Sequence, residues 1–530
     1  MSLIRYAAFA AAVLALLISL ALGSSIWITG IAAALTIVGI TDLMQTKRAL
    51  RRNYPILAHF RFFFEAIRPE MRQYFFEGDK EAAPFSRNQR SIVYQRAKKE
   101  IDKRPFGTQL DVYEAGYEWI NHSIQPAPVQ NHDFRITIGE GRPQPYSASV
   151  FNISAMSFGA LSANAILALN AGAKAGRFMH DTGEGSISPY HRQNGGDLVW
   201  EIGSGYFGCR NADGTFSEEA FVANACTPQV KMIELKLSQG AKPGHGGVLP
   251  GPKVSHEIAL TRGVPEGVDC ISPSSHSAFS TPVEMLHFID RLRNLSGGKP
   301  TGFKTAIGHP WEFFGIVKAM LITGITPDFI VVDGGEGGTG AAPVEFTDHV
   351  GTPLQEALLL VHNSLVGANL RDKIKIGASG KIITAFDIAR TIALGADWCN
   401  SARGFMFALG CIQSQSCHTD RCPSGVATQD KLRQRALVVP DKAKRVEQFH
   451  TNTLRALAEL IAASGLKHPN ELKPHHIVRR ISPNQVKLAS ALLPYLSPGE
   501  LLDDSRLQHL PPVFGLYWPV ARADSFCPQV

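Results

Sequence analysis

Apart from Arg5, the first forty positions carry no charge. Two apolar runs, Tyr6 to Leu22 and Ile26 to Thr41, are parted only by Gly23, Ser24 and Ser25. Each run is about 17 residues, the short end of the ~17–25 that span a bilayer. The pattern predicts a transmembrane helical hairpin over residues 6–41, inside a first segment 1–42, with both helices upright. A signal peptide would also begin at Arg5, but it would not carry the second run. Arg5 precedes the hairpin, Lys47, Arg48, Arg51 and Arg52 follow it, and the turn is uncharged. The positive-inside rule then leaves both ends in the cytoplasm, at the inner membrane of a bacterium.

Residues 43–147 mix charge with aromatics. In HFRFFFEAIRPEMRQYFFEG, Phe and Tyr recur at helical spacing beside Arg and Glu. Either an interfacial helix or an ordinary amphipathic helix packed on the following domain satisfies that spacing. From residue 148 short apolar runs alternate with amphipathic helices. Predicted strands include SVFNIS, VDCISP, PTGFKTAI, DFIVVDGG, KIKIGASG and WCNSA; ALSANAILALNAGAKAG, PWEFFGIVKAMLITG and TPLQEALLLVHNSLVGA are among the helices. Strand–helix repetition over residues 148–430 marks a parallel sheet, as a barrel or a doubly wound sheet. Residues 431–530 read as a mostly helical extension with an irregular, Pro-containing end.

Composition narrows the function classes. The net charge of +7 comes without a basic recognition stripe, which argues against nucleic acid. Eight cysteines in 530 residues form no even framework, as expected in a reducing compartment. The 48 glycines gather in loops such as GEGGTG, where backbone approaches a ligand closely. These fragments do not open a strand–turn–helix dinucleotide unit.

Cys411, Cys417 and Cys422 share one polar loop, CIQSQSCHTDRC, ahead of Pro423. Three thiolates at that spacing suit an iron-sulfur cluster with a missing or otherwise ligated corner iron. Zinc with His418 as fourth ligand, or three free thiols, are the alternatives.

Six segments in order carry a resemblance: MSFGALS (Met156–Ser162), TGEG (Thr182–Gly185), LSQGAKPGHGGVLPGPKV (Leu237–Val254), DGGEGGTGAAP (Asp333–Pro343), the cysteine loop, and GVATQD (Gly425–Asp430). Together they resemble the FMN-binding synthase domain of glutamate synthase, in its stand-alone, membrane-tethered form. The resemblance implies a (β/α)8 barrel with its chemistry on the loops after the strands. It also implies FMN, and a 3Fe-4S cluster, rather than 4Fe-4S, on Cys411, Cys417 and Cys422. The implied reaction condenses 2-oxoglutarate with ammonia and reduces the resulting 2-iminoglutarate to L-glutamate. Nitrogen comes as ammonia and electrons from an external donor such as ferredoxin or a membrane reductase, because neither a glutaminase nor an NAD(P)H domain is read in the chain. The same cofactors acting on another amino or oxo acid, or in an electron-transfer subunit, are the competing readings.

Site residues carry over by position. Ala155, Met156 and Ser157 are expected at the flavin's middle, and Gly337, Gly338, Thr339 and Gly340 on a cofactor loop. The phosphate end is expected at GASGK (Gly377–Lys381), with Ser379, Gly380 and Lys381, and at Ala402 and Arg403. Lys381 and Arg403 depart from the family's glycine and threonine, adding two cations. Lys304 matches the family lysine near the flavin's N1 edge, and Lys236 and Gln239 match positions on the same rim. Lys236, Lys242 and Lys304 are candidates to anchor substrate carboxylates. His245 stands where the family has an acid, and is a candidate proton donor.

Overall fold

In the computed structural model, which describes residues 4–81, 83–129 and 131–529, eight parallel strands close into a barrel. They are β1 (Phe151–Ile153), β2 (His180–Asp181), β3 (Leu198–Ile202), β4 (Val230–Lys236), β5 (Thr301–Thr305), β6 (Phe329–Asp333), β7 (Lys375–Ser379) and β8 (Trp398–Ser401). The strands follow chain order around the ring, and Cys399, Asn400 and Ser401 of β8 pair with Phe151, Asn152 and Ile153 of β1 to close it. Helices lie between them, so the architecture is the expected (β/α)8 barrel.

Local chemistry starts those helices. The Ser162 hydroxyl accepts the Ala165 N–H at 3.1 Å and opens helix Ala163–Gly176. Thr384 and Asp387 form a reciprocal cap on Ala385–Ala393. The predicted strand VDCISP is a correction: Cys270–Ile271 pairs antiparallel with Val248–Leu249, outside the barrel. In its place β2, β3 and β4 complete the ring.

The barrel wall is apolar along most of its length, with Phe151, Leu198, Ile233, Phe303 and Ile330 fully buried on its helix-facing side. Toward the strands' C-terminal ends it turns polar. Asp181, Glu201, Glu234, Lys236 and Lys304 are all buried there. Register brings them together, with Glu201 beside Glu234 and Lys236 beside Lys304 on adjacent strands.

The chain divides into two compact units, Met1–Asn88 and Gln89–Val530, a boundary inside the segment 43–147. The second unit holds the barrel and the C-terminal segment. Its long helix, Val439–Ala463, packs on Ala163–Gly176, where a Cβ on Gly172 would meet Val446 Cγ1 at 2.5 Å. The end of the chain is not wholly helical. Ile477–Ser482 and Gln485–Leu488 form a hairpin that pairs with Glu118–Ile120.

The first unit begins with two apolar helices, Ala7–Ala21 and Ile26–Met44. Leu14, Leu17, Ile28 and Ile31 stand exposed on them. Buried Asp42, near the end of the second, accepts the Ile56 N–H at 3.0 Å and hydrogen-bonds His59 Nε2 at 2.9 Å. That contact fixes the start of helix Ala58–Met71, whose Phe60, Phe63 and Phe64 face outward.

Candidate active site

Glycines let the barrel's loops close on one another. A Cβ on Gly240 would stand 1.8 Å from the Gly334 carbonyl oxygen, so the LSQG and DGG turns meet backbone to backbone. The Gly240 N–H also donates to Asp333 Oδ2 at 2.8 Å. These loops frame an open cavity of about 1000 Å³, solvent space at its mouth included, at the C-terminal ends of the strands. Active sites of such barrels sit at this face.

The lining is strongly cationic. Among the described lining residues, Lys236, Lys242, Lys253, Arg262 and Arg403 face two carboxylates, Glu184 and Glu201. Lys236 Nζ lies 3.2 Å from Glu184 Oε1, 3.8 Å from Glu201 Oε1 and 3.0 Å from Gln239 Oε1. Lys242 is 2 % exposed, and its Nζ has no hydrogen-bond partner among the described residues. Burial lowers its pKa, with Glu184 opposing. A buried ammonium without a partner is costly unless an anion meets it. Arg262 donates through Nη2 to the Phe158 carbonyl at 3.0 Å and keeps its Nε unpaired.

Behind this lining lies the charged layer of the barrel. Lys304 Nζ is 3.0 Å from Glu201 Oε2. Burial would pull the Lys304 pKa down, but Glu201, Asp333, Glu234 and Asp181 together hold it well above the ordinary lysine value. Burial works against ionised Glu201 too; Lys304 and Lys236 overcome it, and its pKa falls. Asp181 and Glu234 go the other way. Burial and neighbouring carboxylates push Asp181 up to about 7 and Glu234 well above the usual range. Their carboxylate oxygens and one of Glu201 lie within 4.8 Å of one another, so a proton on Asp181 or Glu234 relieves the repulsion.

Of the residues singled out in the sequence, Ala155, Met156, Ser157, Lys236, Gln239, Gly338, Thr339, Gly340, Ala402, Arg403 and Cys417 line the cavity. Others stand outside the lining. The Ser379 hydroxyl donates to Asp333 Oδ1, Lys381 is exposed, and the helix after Ala402 is only Arg403–Leu409. Gly337 and Gly380 do not face the cavity, and Glu336 beside them caps helix Leu354–Gly367 through the Leu354 N–H at 2.9 Å. His245 is exposed, with Nδ1 2.9 Å from the Gly246 carbonyl and its ring edge-on to Phe346.

Glu184, Glu201, Lys253 and Arg262 were not assigned roles from sequence. Glu184 and Lys253 sit within the recognised TGEG and GPKV segments, whereas Glu201 and Arg262 carry no motif signal.

At the cysteine loop, Cys411 and Cys417 are half-buried and Cys422 is buried. Burial works against the Cys422 thiolate, but the Ser424 hydroxyl and the N–H groups of Ala427, Ser424 and Val426 bring its pKa down. Burial raises Cys411 to about 11. Among the described residues only Asp181, Glu201 and Glu234 bring three ligand atoms within 4.8 Å of one another. The three sulfurs are therefore spread more widely than sulfurs ~2.3 Å from a single zinc would be. Tyr94, from helix Arg87–Lys98, donates its hydroxyl to the Cys411 carbonyl at 2.7 Å.

Residues 108–467 match the family described as "Conserved region in glutamate synthase". The chain is 38% identical to the glutamate synthase large subunit-like protein YerD of Bacillus subtilis, over 83% of this chain and 91% of that one. It is 36% identical to the archaeal glutamate synthase [NADPH] of Methanocaldococcus jannaschii, over 61% of this chain and 60% of that protein. Among solved structures, a flavocytochrome b2 mutant with pyruvate bound aligns at a TM-score of 0.43 and 13% identity, over 85% of this chain and 91% of that one. With the matched region spanning the barrel, its charged cavity and the three-cysteine loop, the chain belongs to the glutamate synthase conserved-region family.

Proposed function

We propose that this protein binds FMN in the barrel cavity and an iron-sulfur cluster on Cys411, Cys417 and Cys422, and reduces 2-iminoglutarate, formed from 2-oxoglutarate and ammonia, to L-glutamate. The observation that carries the reading is the cavity's charge. Five cations face two carboxylates, and the Lys242 ammonium is buried without a partner among the described residues. That lining suits a flavin phosphate and a dicarboxylate, both dianions.

The residues present fit both groups. Backbone at Ala155–Ser157 and Gly338–Thr339–Gly340 faces one cavity with Ala402 and Arg403, so small residues and a cation are available to hold FMN. The loop offers three thiols, one of them held toward thiolate by N–H donors. When bound, FMN supplies hydride to the substrate's Cα and the cluster delivers electrons from an external donor such as ferredoxin or a membrane reductase. The chain's own contribution is orientation and charge. Lys242 and Arg262 take the substrate carboxylates, with Lys236 held in place by Glu184 and Gln239 on the same rim. Lys304 keeps a positive charge beneath the cavity floor, fixed there by Glu201. Asp181 or Glu234 holds a proton behind it.

Residues 6–41 are the proposed membrane anchor, with the barrel on the cytoplasmic side. Two helical stretches, Ile4–Ala21 and Ile26–Met44, of 18 and 19 residues, have the length and hydropathy for it, and only 11% and 22% of their apolar windows are buried.

Calorimetric titration with 2-oxoglutarate tests the substrate assignment. Wild-type protein is expected to bind it, and Lys242→Met to bind at least about tenfold more weakly, the loss of ~1.4 kcal/mol. Wild-type protein that takes up no 2-oxoglutarate would contradict the reading.

A further inference from the structure

Lys253 is 3% exposed, at the end of the stiff turn Gly251–Lys253. Its ammonium donates to three carbonyls on three separate stretches of loop: Cys417 at 3.1 Å, Ala160 at 3.3 Å and Ala427 at 3.3 Å. All three N–H donors are thereby used on neutral acceptors. Apart from Lys242, which lines the cavity without a partner among the described residues, the other buried lysines are balanced differently. Lys304 and Lys236 pair with carboxylates, and Lys299 donates to the Ala225 and Thr227 carbonyls at the end of helix Glu218–Ala225, whose dipole favours a cation. Lys253 has no carboxylate within ion-pair distance among the described residues, and its three acceptor carbonyls end no α-helix. The negative groups that act on it are Asp420 and, when ionised as metal ligands, Cys417 and Cys422.

We infer that Lys253 is the positioning cation of the cysteine loop: it ties the loop to the barrel's first strand-end and supplies the positive charge that balances the anionic metal-thiolate centre. The inference rests on the cluster reading above and extends it to a residue outside the ligand set. Hydrogen bonding and nearby charge set the potentials of such centres. A fixed cation favours the reduced, more negative state and raises the potential. Lys253 and Cys417 both line the cavity, so the same residue borders both the proposed substrate site and the loop that would feed it electrons.

The test compares Lys253→Met, Lys253→Gln and Lys253→Arg with wild type in the full chain after anaerobic reconstitution. Iron per chain and the centre's midpoint potential, from a redox titration followed by electron paramagnetic resonance, are the readouts. Lys253→Arg should load iron and titrate like wild type. Lys253→Gln keeps hydrogen-bond donors without charge, and its loaded fraction should titrate at a lower potential. Lys253→Met should show the lower potential and reduced iron together. If Lys253→Met does not fold, the Gln and Arg variants carry the comparison. Equal potentials in Gln, Arg and wild type would overturn the inference and leave Lys253 a structural clamp. A wild-type chain that takes up no iron would instead overturn the cluster reading, and the inference with it.

Discussion

Asp181 is the residue where environment most changes ordinary chemistry. Its carboxyl is buried beside Glu201 and Glu234, and its pKa is pushed up to about 7. An unfolded chain would lose that proton near pH ~4. Between about 4 and 7 the folded chain holds a proton the unfolded chain lacks, so this group makes stability fall as pH rises through that window. Asp181→Asn should remove up to ~1.4 kcal/mol per pH unit of that slope, read from denaturant unfolding at a series of pH values; an unaltered slope would place the proton elsewhere. Lys304 makes a matched prediction. Lys304→Met takes from Glu201 its 3.0 Å partner, leaving only Lys236 at 3.8 Å, and should cost up to roughly 3 kcal/mol, the penalty for breaking a buried pair. Adding Glu201→Gln should recover part of that loss in the same unfolding assay. These consequences were not legible in the sequence. Lys304 stood out through its family position, but nothing in LVWEIG marks Glu201 as its partner, since that contact joins residues 103 positions apart.

Among the elements, the barrel strands were legible where their runs were apolar. DFIVVDGG and KIKIGASG became β6 and β7. β3 and β4 were missing from the predicted strands because Glu201, Glu234 and Lys236 interrupt LVWEI and VKMIELK with charges that point into the barrel. β2 is two residues long and gives no periodic signal at all. The interruptions are thus the site itself, and the pattern fails where the chemistry sits. The hairpin Ile477–Leu488 went unread because its outer strand is exposed throughout and it pairs with Glu118–Ile120, far away in the chain. Loop packing gives a prediction at this scale. Gly240→Ala puts a Cβ against the Gly334 oxygen and should prise the two turns apart at a cost on the order of 1–3 kcal/mol, together with loss of bound flavin. Full flavin content at unchanged stability would show that the turns can separate harmlessly.

For the whole molecule, the proposed anchor and the barrel lie in separate compact units, so removing residues 1–42 should move the protein from the membrane to the soluble fraction while flavin stays bound. Retention in the membrane at high salt would assign the anchoring to the aromatic helix Ala58–Met71; loss of flavin on release would make the hairpin part of the catalytic fold. In the proposed function the barrel, the cavity and the cysteine loop form one path by which electrons reach a dianionic substrate, and that is the central claim. Its most direct measurement is the product. Cofactor-loaded protein, reduced chemically without oxygen, is given 2-oxoglutarate and 15N-ammonium, and the amino acids formed are identified by mass spectrometry. The account predicts L-glutamate carrying one 15N for every two electrons withdrawn from the protein. A flavin that stays reduced, with no labelled glutamate formed, would contradict it.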